Sequence, residues 1–221
     1  MKKLCVLLAA LLLICTLAGC GGKDAPETDT KESGTQTDTE ETVPGDSETE
    51  SDDATEAETS PDGGRVLVVV FSITGNTMKV AERIAAIENA DTYLITAEVP
   101  YTEEDLDYNR EGNRSKNEQS DKSARPGIAG ELPDISSYDR IYIGFPIWHG
   151  EEPRIMDTFV ENYDFGDKVM IPFCTSSASG IGQSGENLAE LAGSGDWKTG
   201  KRFPEEGASD DELREWIESL E

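Results

Sequence analysis

Val66-Leu67-Val68-Val69-Val70-Phe71 is an unbroken apolar, β-branched run that passes directly into the polar hexapeptide Ser72-Ile73-Thr74-Gly75-Asn76-Thr77. A strand with one wet face alternates apolar and polar residues. An unbroken run must be covered on both faces, which places it inside a parallel sheet. Val80, Ile84 and Ile87 then recur at helical spacing, with Ala81 and Ala85 beside them. The unit is therefore strand, short polar turn, helix.

The same alternation continues. Thr92–Thr96 is a second strand, and Asp139–Phe145 a third that ends at Pro146. Ile155, Met156, Phe159, Val160 and Tyr163 mark a helix opening near Pro153, a residue suited to the first helical position. Lys168–Phe173 is a fourth strand, Leu188 and Leu191 mark a short helix, and Trp197–Phe203 is a fifth strand. Ser209-Asp210-Asp211-Glu212 is a capping box that opens a last helix with Leu213, Trp216, Ile217 and Leu220 as its buried stripe. Strands alternating with helices imply a doubly wound α/β sheet with right-handed crossovers. The loops after strands 1, 3 and 4 then gather at one end, where ligands bind such sheets. Between strands 2 and 3 lies a long polar stretch, 98–137, with a polar helix expected over Glu103–Asp121 and breaks at Pro126 and Pro133. Such a connection either frames a substrate entrance or is a solvated excursion.

The amino end has a different character. Met1-Lys2-Lys3 is a basic start, and Leu4–Leu17 is almost wholly apolar but too short for a span of about 20 residues. It reads as a signal peptide over 1–19. A plain secretory signal has this form, and the Leu17-Ala18-Gly19-Cys20 end resembles the bacterial lipoprotein box. That resemblance implies lipidation at Cys20 and a protein held on the extracytoplasmic face of the cell membrane. Residues 20–64 follow as a tether: 21–64 hold two Lys against 15 Asp and Glu, and Val43 is their strong aliphatic residue. Such a segment cannot bury enough apolar surface to offset the entropy of ordering it. The globular part is 65–221, with a formal charge of −16 out of the chain's −27. That acidity argues against nucleic acid as a partner, because phosphates need a cationic face. In 65–221, Cys174 is the one cysteine and His149 the one histidine, so neither an internal disulfide nor a Cys/His zinc site is expected.

Chemistry concentrates in the turn after the first strand. Ser72, Thr74 and Thr77 bring hydroxyls, Gly75 lets backbone approach closely, and Asn76 tolerates unusual dihedrals. The helix that follows aims its free N–H groups and positive dipole end into the turn. These suit a phosphate held without a cation, since Ser72–Thr77 contain no Lys or Arg and no GxxxxGK[ST] pattern. An ordinary Ser/Thr-rich helix cap has the same composition.

Phe71-Ser-Ile-Thr-Gly-Asn-Thr77 resembles the FMN phosphate loop of the flavodoxins, T/S-x-T-G-x-T. Gly144-Phe-Pro-Ile-Trp-His-Gly150 looks like the second flavin loop of that family, and Ile171–Gly182 like the third. The resemblance implies a flavodoxin-like three-layer doubly wound sandwich with a five-stranded parallel sheet in the order 2-1-3-4-5, and FMN as cofactor. It implies binding by Ser72, Ile73, Thr74, Gly75, Asn76 and Thr77. It also implies binding by Pro146, Ile147, Trp148, His149 and Gly150, with the Trp148 indole beside the flavin ring; an indole at this position also suits burial against its neighbouring helix. From the third loop it implies Thr175, Ser176, Ser177, Ser179, Gly180 and Gly182. His149 is the candidate catalytic or substrate-contacting side chain; it also suits a structural or solvent-facing role. Cys174 suits a small buried residue better than a redox thiol. Gly180-Ile-Gly-Gln-Ser-Gly185 matches the dinucleotide pattern, with Glu205 about twenty residues on, but six residues separate Phe173 from Gly180 where a fingerprint starts at the strand end.

Residues 174–184 hold no aromatic and no carboxylate, unlike the third loop of the electron-carrier flavodoxins. Negative charge near the flavin would oppose the charge gained on reduction. Its absence here points to a two-electron oxidoreductase acting on a small quinone-like or other acceptor. The alternatives are an electron carrier docking its acidic domain on a redox protein, and a non-enzymatic lipoprotein that binds a ligand or partner without FMN.

Overall fold

β1 (Val66–Phe71) is buried along its whole length, in a computed structural model that describes residues 64–220. The signal segment, Cys20 and the acidic tether up to Gly63 lie outside the described residues. The expected two-sided burial of β1 is met in full. Leu67, Val69 and Phe71 enter one core, and Val66, Val68 and Val70 enter another.

β1 leads into α1 (Asn76–Glu88) and then β2 (Asp91–Ile95). The long connection carries a 3-10 turn (Glu104–Leu106) and α2 (Arg114–Ser120). After it come β3 (Arg140–Pro146), α3 (Arg154–Val160), β4 (Val169–Thr175), α4 (Ser184–Ala192), β5 (Asp196–Trp197), β6 (Lys201–Phe203) and α5 (Asp210–Glu218). The sheet order is β2-β1-β3-β4-β5, with β6 also paired to β4, and every pairing is parallel. One core, around Val80, Ile84, Tyr142, Phe173, Phe203, Leu213 and Trp216, lies under α1 and α5. The other joins the opposite sheet face to Ile155, Met156, Phe159 and Leu188 of α3 and α4, and to Tyr101 and Trp148. The result is the expected three-layer sandwich.

Three expectations need correction. The fifth strand, expected as one piece over Trp197–Phe203, is split into β5 and β6. Pro172 explains the split. It has no N–H to give, and a Cβ on Gly200 would stand 2.9 Å from the Pro172 carbonyl, so that edge of Pro172 faces the break. The ladder resumes at Phe173 opposite Lys201. The polar helix expected over Glu103–Asp121 is reduced to the 3-10 turn and α2. Asp107 accepts from the Asn109 N–H, and Gly112 at φ +71 turns the chain. Asn113 then caps α2 by accepting from the Lys116 N–H at 2.8 Å. Pro153 is the N-cap of α3, at ψ 139, rather than its first helical residue. Half of the expected capping box is present: Ser209 Oγ accepts from the Glu212 N–H at 3.1 Å, while the Glu212 carboxylate turns to Lys201.

Gly144 lets β3 lie against β4's aromatic. A Cβ there would stand 2.2 Å from Phe173 Cζ, and that ring is fully buried. Gly144→Ala is therefore expected to destabilise the fold by about 1–3 kcal/mol through overpacking. Urea unfolding checks this, and an unchanged midpoint contradicts it.

Candidate functional site

Phe71 ends β1 and Gly75 is the N-cap of α1, at φ +83 and ψ −6, a left-handed conformation that favours glycine. A Cβ at Gly75 would meet nothing within 4 Å, so the space beside it is open. Ser72 Oγ accepts the Met78 N–H at 3.3 Å and closes the loop. Among the described residues, no acceptor is present for the backbone N–H groups of Ile73, Thr74, Gly75, Asn76 and Thr77. These donors lie at the positive end of a 13-residue helix, where an anion is favoured. Ile73 and Thr74 are exposed. Thr77 is buried, and its hydroxyl lies 2.8 Å from that of Thr175 at the end of β4. That bond joins the first loop to the third.

The second loop is a tight turn. Trp148 and Glu151 pair across it in both directions, at 2.9 and 3.2 Å. Its central residues His149 (φ 50) and Gly150 (φ 95) carry the two positive φ values of a type I′ turn. Glycine takes that conformation freely; histidine takes it at a cost and must be held. The long connection holds it. The Tyr108 hydroxyl accepts the His149 N–H at 3.1 Å and donates to the Ile147 carbonyl at 3.2 Å. The Tyr108 ring lies 4.4 Å from the imidazole, and Ser115 Oγ is 3.4 Å from His149 Nε2. Burial, with Lys116 nearby, pushes the His149 pKa below its ordinary value, so the ring is neutral near pH 7. The Gln119 side-chain amide donates to the carbonyls of Trp148 and Glu152, at 3.1 and 2.9 Å. Of the two readings of 98–137, the structure therefore shows a stretch built against the second loop.

Of the two settings open to Trp148, the structure shows the buried one. It is only 7% exposed and packs edge-on against Phe71 and Tyr101, with ring centroids at 5.4 and 5.0 Å. The indole thus forms part of the core beneath the loop rather than an open platform beside it. Pro146 and Ile147 continue the ladder, with the Ile147 N–H donating to the Thr175 carbonyl at 3.0 Å.

In the third loop, Thr175 and Ser176 are buried, while Ser177, Ser179, Gly180 and Gly182 are exposed. Ser176 Oγ donates to the Ser179 carbonyl. Arg202 of β6 reaches in to bond the carbonyls of Ser176 at 3.1 Å and Ser177 at 2.8 Å. The tips of the second and third loops meet, since a Cβ on Gly182 would stand 3.9 Å from the Gly150 carbonyl. The dinucleotide pattern is not built as a strand-turn-helix, because Ser176–Ser179 separate β4 from Gly180; Gly185 instead lets α4 pack on Pro172. A cavity of about 640 Å³ lies at the amino ends of β3 and β4, against Asp139, Tyr163, Phe165 and Lys168. That is the opposite end of the sheet, and ligands of such sheets bind at the carboxyl ends.

Beneath the second loop sits a buried charged cluster. Arg154 is 4% exposed and bonds Glu151 at 2.6 Å, Asp157 at 3.3 Å, Glu152 at 3.5 Å and the Gln119 carbonyl at 3.3 Å. Asn187 of α4 donates to Glu152 at 3.1 Å. Burial, reinforced by Glu152, raises the Asp157 pKa to about 6. Cys174, also buried, has its thiol pushed up to about 12.

Several of these residues escape a reading of the sequence alone. Tyr108, Ser115 and Gln119 sit in a polar stretch with no motif, and Arg202 lies 25 residues from its partner Ser177. Asn113 ahead of a helical run was the one local signal.

A family model described as Flavodoxin matches residues 65–220. Two solved structures reach a TM-score of 0.66. One, described as a flavoprotein, is from Bacteroides uniformis ATCC 8492, with 38% identity over 70% of this chain and 98% of that one. The other, described likewise, is from Bacteroides eggerthii DSM 20697, with 36% identity over 71% and 97%. A flavoprotein in complex with FMN, from Lactobacillus acidophilus NCFM, is 23% identical at a TM-score of 0.51, covering 70% of this chain and 99% of that one. At that identity the shared feature is the fold. No curated protein matches the chain.

Two measurements check the site's electrostatics. Folded Asp157 holds its proton more tightly than the unfolded chain, whose ordinary value is 3.8. Its stabilising contribution is complete below about pH 4 and is lost as pH rises through about 6, by roughly 2–3 kcal/mol at most. Asp157→Asn is expected to flatten that part of the stability profile, read by chemical denaturation. Cys174 is expected to resist a thiol-specific disulfide reagent at pH 8 in the native protein and to react at once in urea.

Proposed function

We propose, from the premise that this chain belongs to the flavodoxin family, that its domain binds FMN across the carboxyl ends of β1, β3 and β4 and serves as a two-electron oxidoreductase. The observation that carries this reading is the nest of free N–H groups over Ile73–Thr77 at the start of α1. It suits a phosphate dianion, and without a cation or a GxxxxGK[ST] pattern it suits a monophosphate better than a triphosphate with magnesium. The open side of Gly75 leaves room for that group. When bound, FMN supplies hydride chemistry, and the protein supplies position and electrostatics.

Each loop has a distinct part in this reading. Ser72 and Thr74 offer hydroxyls to the phosphate, while Thr77 ties that loop to Thr175. The Trp148–Glu151 turn presents backbone groups of His149 and Gly150 at the ring edge, and neutral His149 faces substrate without adding charge. Ser177, Ser179, Gly180 and Gly182 form the exposed side of the third loop, open to a flat acceptor of the quinone class. With no carboxylate over 174–184, local charge does not oppose two-electron reduction. A second reading, electron carriage to a basic redox partner, is favoured by the −16 charge of residues 65–221. We also propose that Cys20 carries a lipid that holds the protein at the extracytoplasmic face of the membrane.

Calorimetric titration is expected to show one FMN per chain. Riboflavin, which lacks the phosphate and its several charge-assisted hydrogen bonds, should bind about a hundredfold more weakly. Equal affinity for the two would remove the phosphate cradle from the account. Quinone-dependent oxidation of NAD(P)H separates enzyme from carrier: turnover supports the first, and two widely split potentials without turnover support the second. Cys20→Ala should move the protein from the membrane fraction to the soluble one.

A further inference from the structure

The buried cluster under the second loop contains more carboxylate than cation. Glu152, Asp157 and Glu151 all converge on the one guanidinium of Arg154. Glu152 and Asp157, at 0% and 1% exposure, share the same nitrogen of it, at 3.5 and 3.3 Å. Arg125, from the long connection, stands 3.7 Å from Asp157 but is taken in a two-pronged bond by Glu161 at 2.7 Å. Asp121 lies in the field of both arginines, and α4 contributes only the neutral Asn187. Two buried acceptors here, Asp157 Oδ1 and Gln119 Oε1, have no hydrogen-bond partner, nor does the donor Arg154 Nε. A full set of charges would leave a buried carboxylate uncompensated, which is costly. A proton on Asp157 removes the excess charge and turns a lone acceptor into a donor.

This cluster supports the second loop directly. Arg154 bonds the Gln119 backbone carbonyl, and the Gln119 side chain holds the carbonyls of Trp148 and Glu152 on either side of the turn. We propose that Asp157 is a positioning residue for the FMN-binding turn Trp148–Glu151, and that it performs this role in its protonated form. Loss of the proton sets two carboxylates against each other on one Arg154 nitrogen and draws that side chain away from Gln119, which loosens the turn. The proposal rests on the assignment of that turn to FMN for its consequence, but not for its mechanism.

The test therefore has an arm without cofactor. Amide NMR of the full chain, in a His149→Gln background so that the imidazole does not titrate, follows Trp148, Gly150 and Glu151 from pH 4.5 to 8. The side-chain carboxyl carbon of Asp157 is read in parallel. The expected result is a shared midpoint for the carboxyl and the three amides, lost from the amides in Asp157→Asn. A carboxyl midpoint in the ordinary aspartate range, or amides that do not follow it, overturns the proposal, and the first readout needs no Asp157 variant to fold. In the second arm, FMN affinity is measured at pH 5.5 and 8 for wild type and Asp157→Asn. Both proteins share the ionisation of the FMN phosphate, so their ratio isolates Asp157. Wild type is expected to lose about tenfold relative to the variant between the two pH values, equivalent to one pKa unit of coupling. A constant ratio overturns the proposal. Absence of FMN binding in either protein at any pH overturns the functional reading instead, and the cofactor-free arm still decides this one.

Discussion

Burial of β1 on both faces is the constraint on which the rest depends. A six-residue strand with no polar side chain needs a layer on each side and a partner at each edge, and it has them in α1 and α5, in α3 and α4, and in β2 and β3. With β1 central and parallel to its neighbours, the carboxyl ends of β1, β3 and β4 come to one rim. The chain can leave that rim only through loops, and there the polar residues collect. The cradle at Gly75 is thus a consequence of where β1 is forced to stop and α1 to start.

The rim is then braced from outside the sheet. Two hydroxyls, Thr77 and Thr175, tie the first loop to the third through the core. The long connection between β2 and β3 braces the second loop through Tyr108, Ser115 and Gln119, and so holds a histidine at positive φ. Arg202, from the short β6, braces the third. Tyr108, Gln119 and Arg202 bond to backbone in these loops. A binding rim assembled in this way keeps its shape before any ligand arrives, and preorganisation of that kind reduces the cost of binding.

Much of this was legible in the residues because it is local. The run Val66–Phe71, the turn Ser72–Thr77 and the helical spacing of Val80 and Ile84 each report on neighbours a few positions away, and each element is found where expected. The Ser209 helix cap is of the same kind. The errors also have local roots. Trp197–Phe203 looks like one strand because Pro172, which breaks it, lies on a different strand. Whether Trp148 is open or buried is not legible locally, because Phe71 and Tyr101, which enclose it, are distant in the chain. The burial of Glu152, Arg154 and Asp157 has no local signal, because their partners Gln119 and Asn187 lie tens of residues away.

By itself, then, the sequence determined the layering of the sandwich, the chain order of its elements and the polar turn Ser72–Thr77, because hydrophobic period and turn composition act over a few residues. It also determined the acidity of the whole and the absence of local charge over 174–184. Tertiary structure alone decided which side chains brace the loops, where the indole lies and which carboxylates are buried together. Those outcomes depend on contacts between residues tens of positions apart, which become defined only once both faces of the sheet are covered.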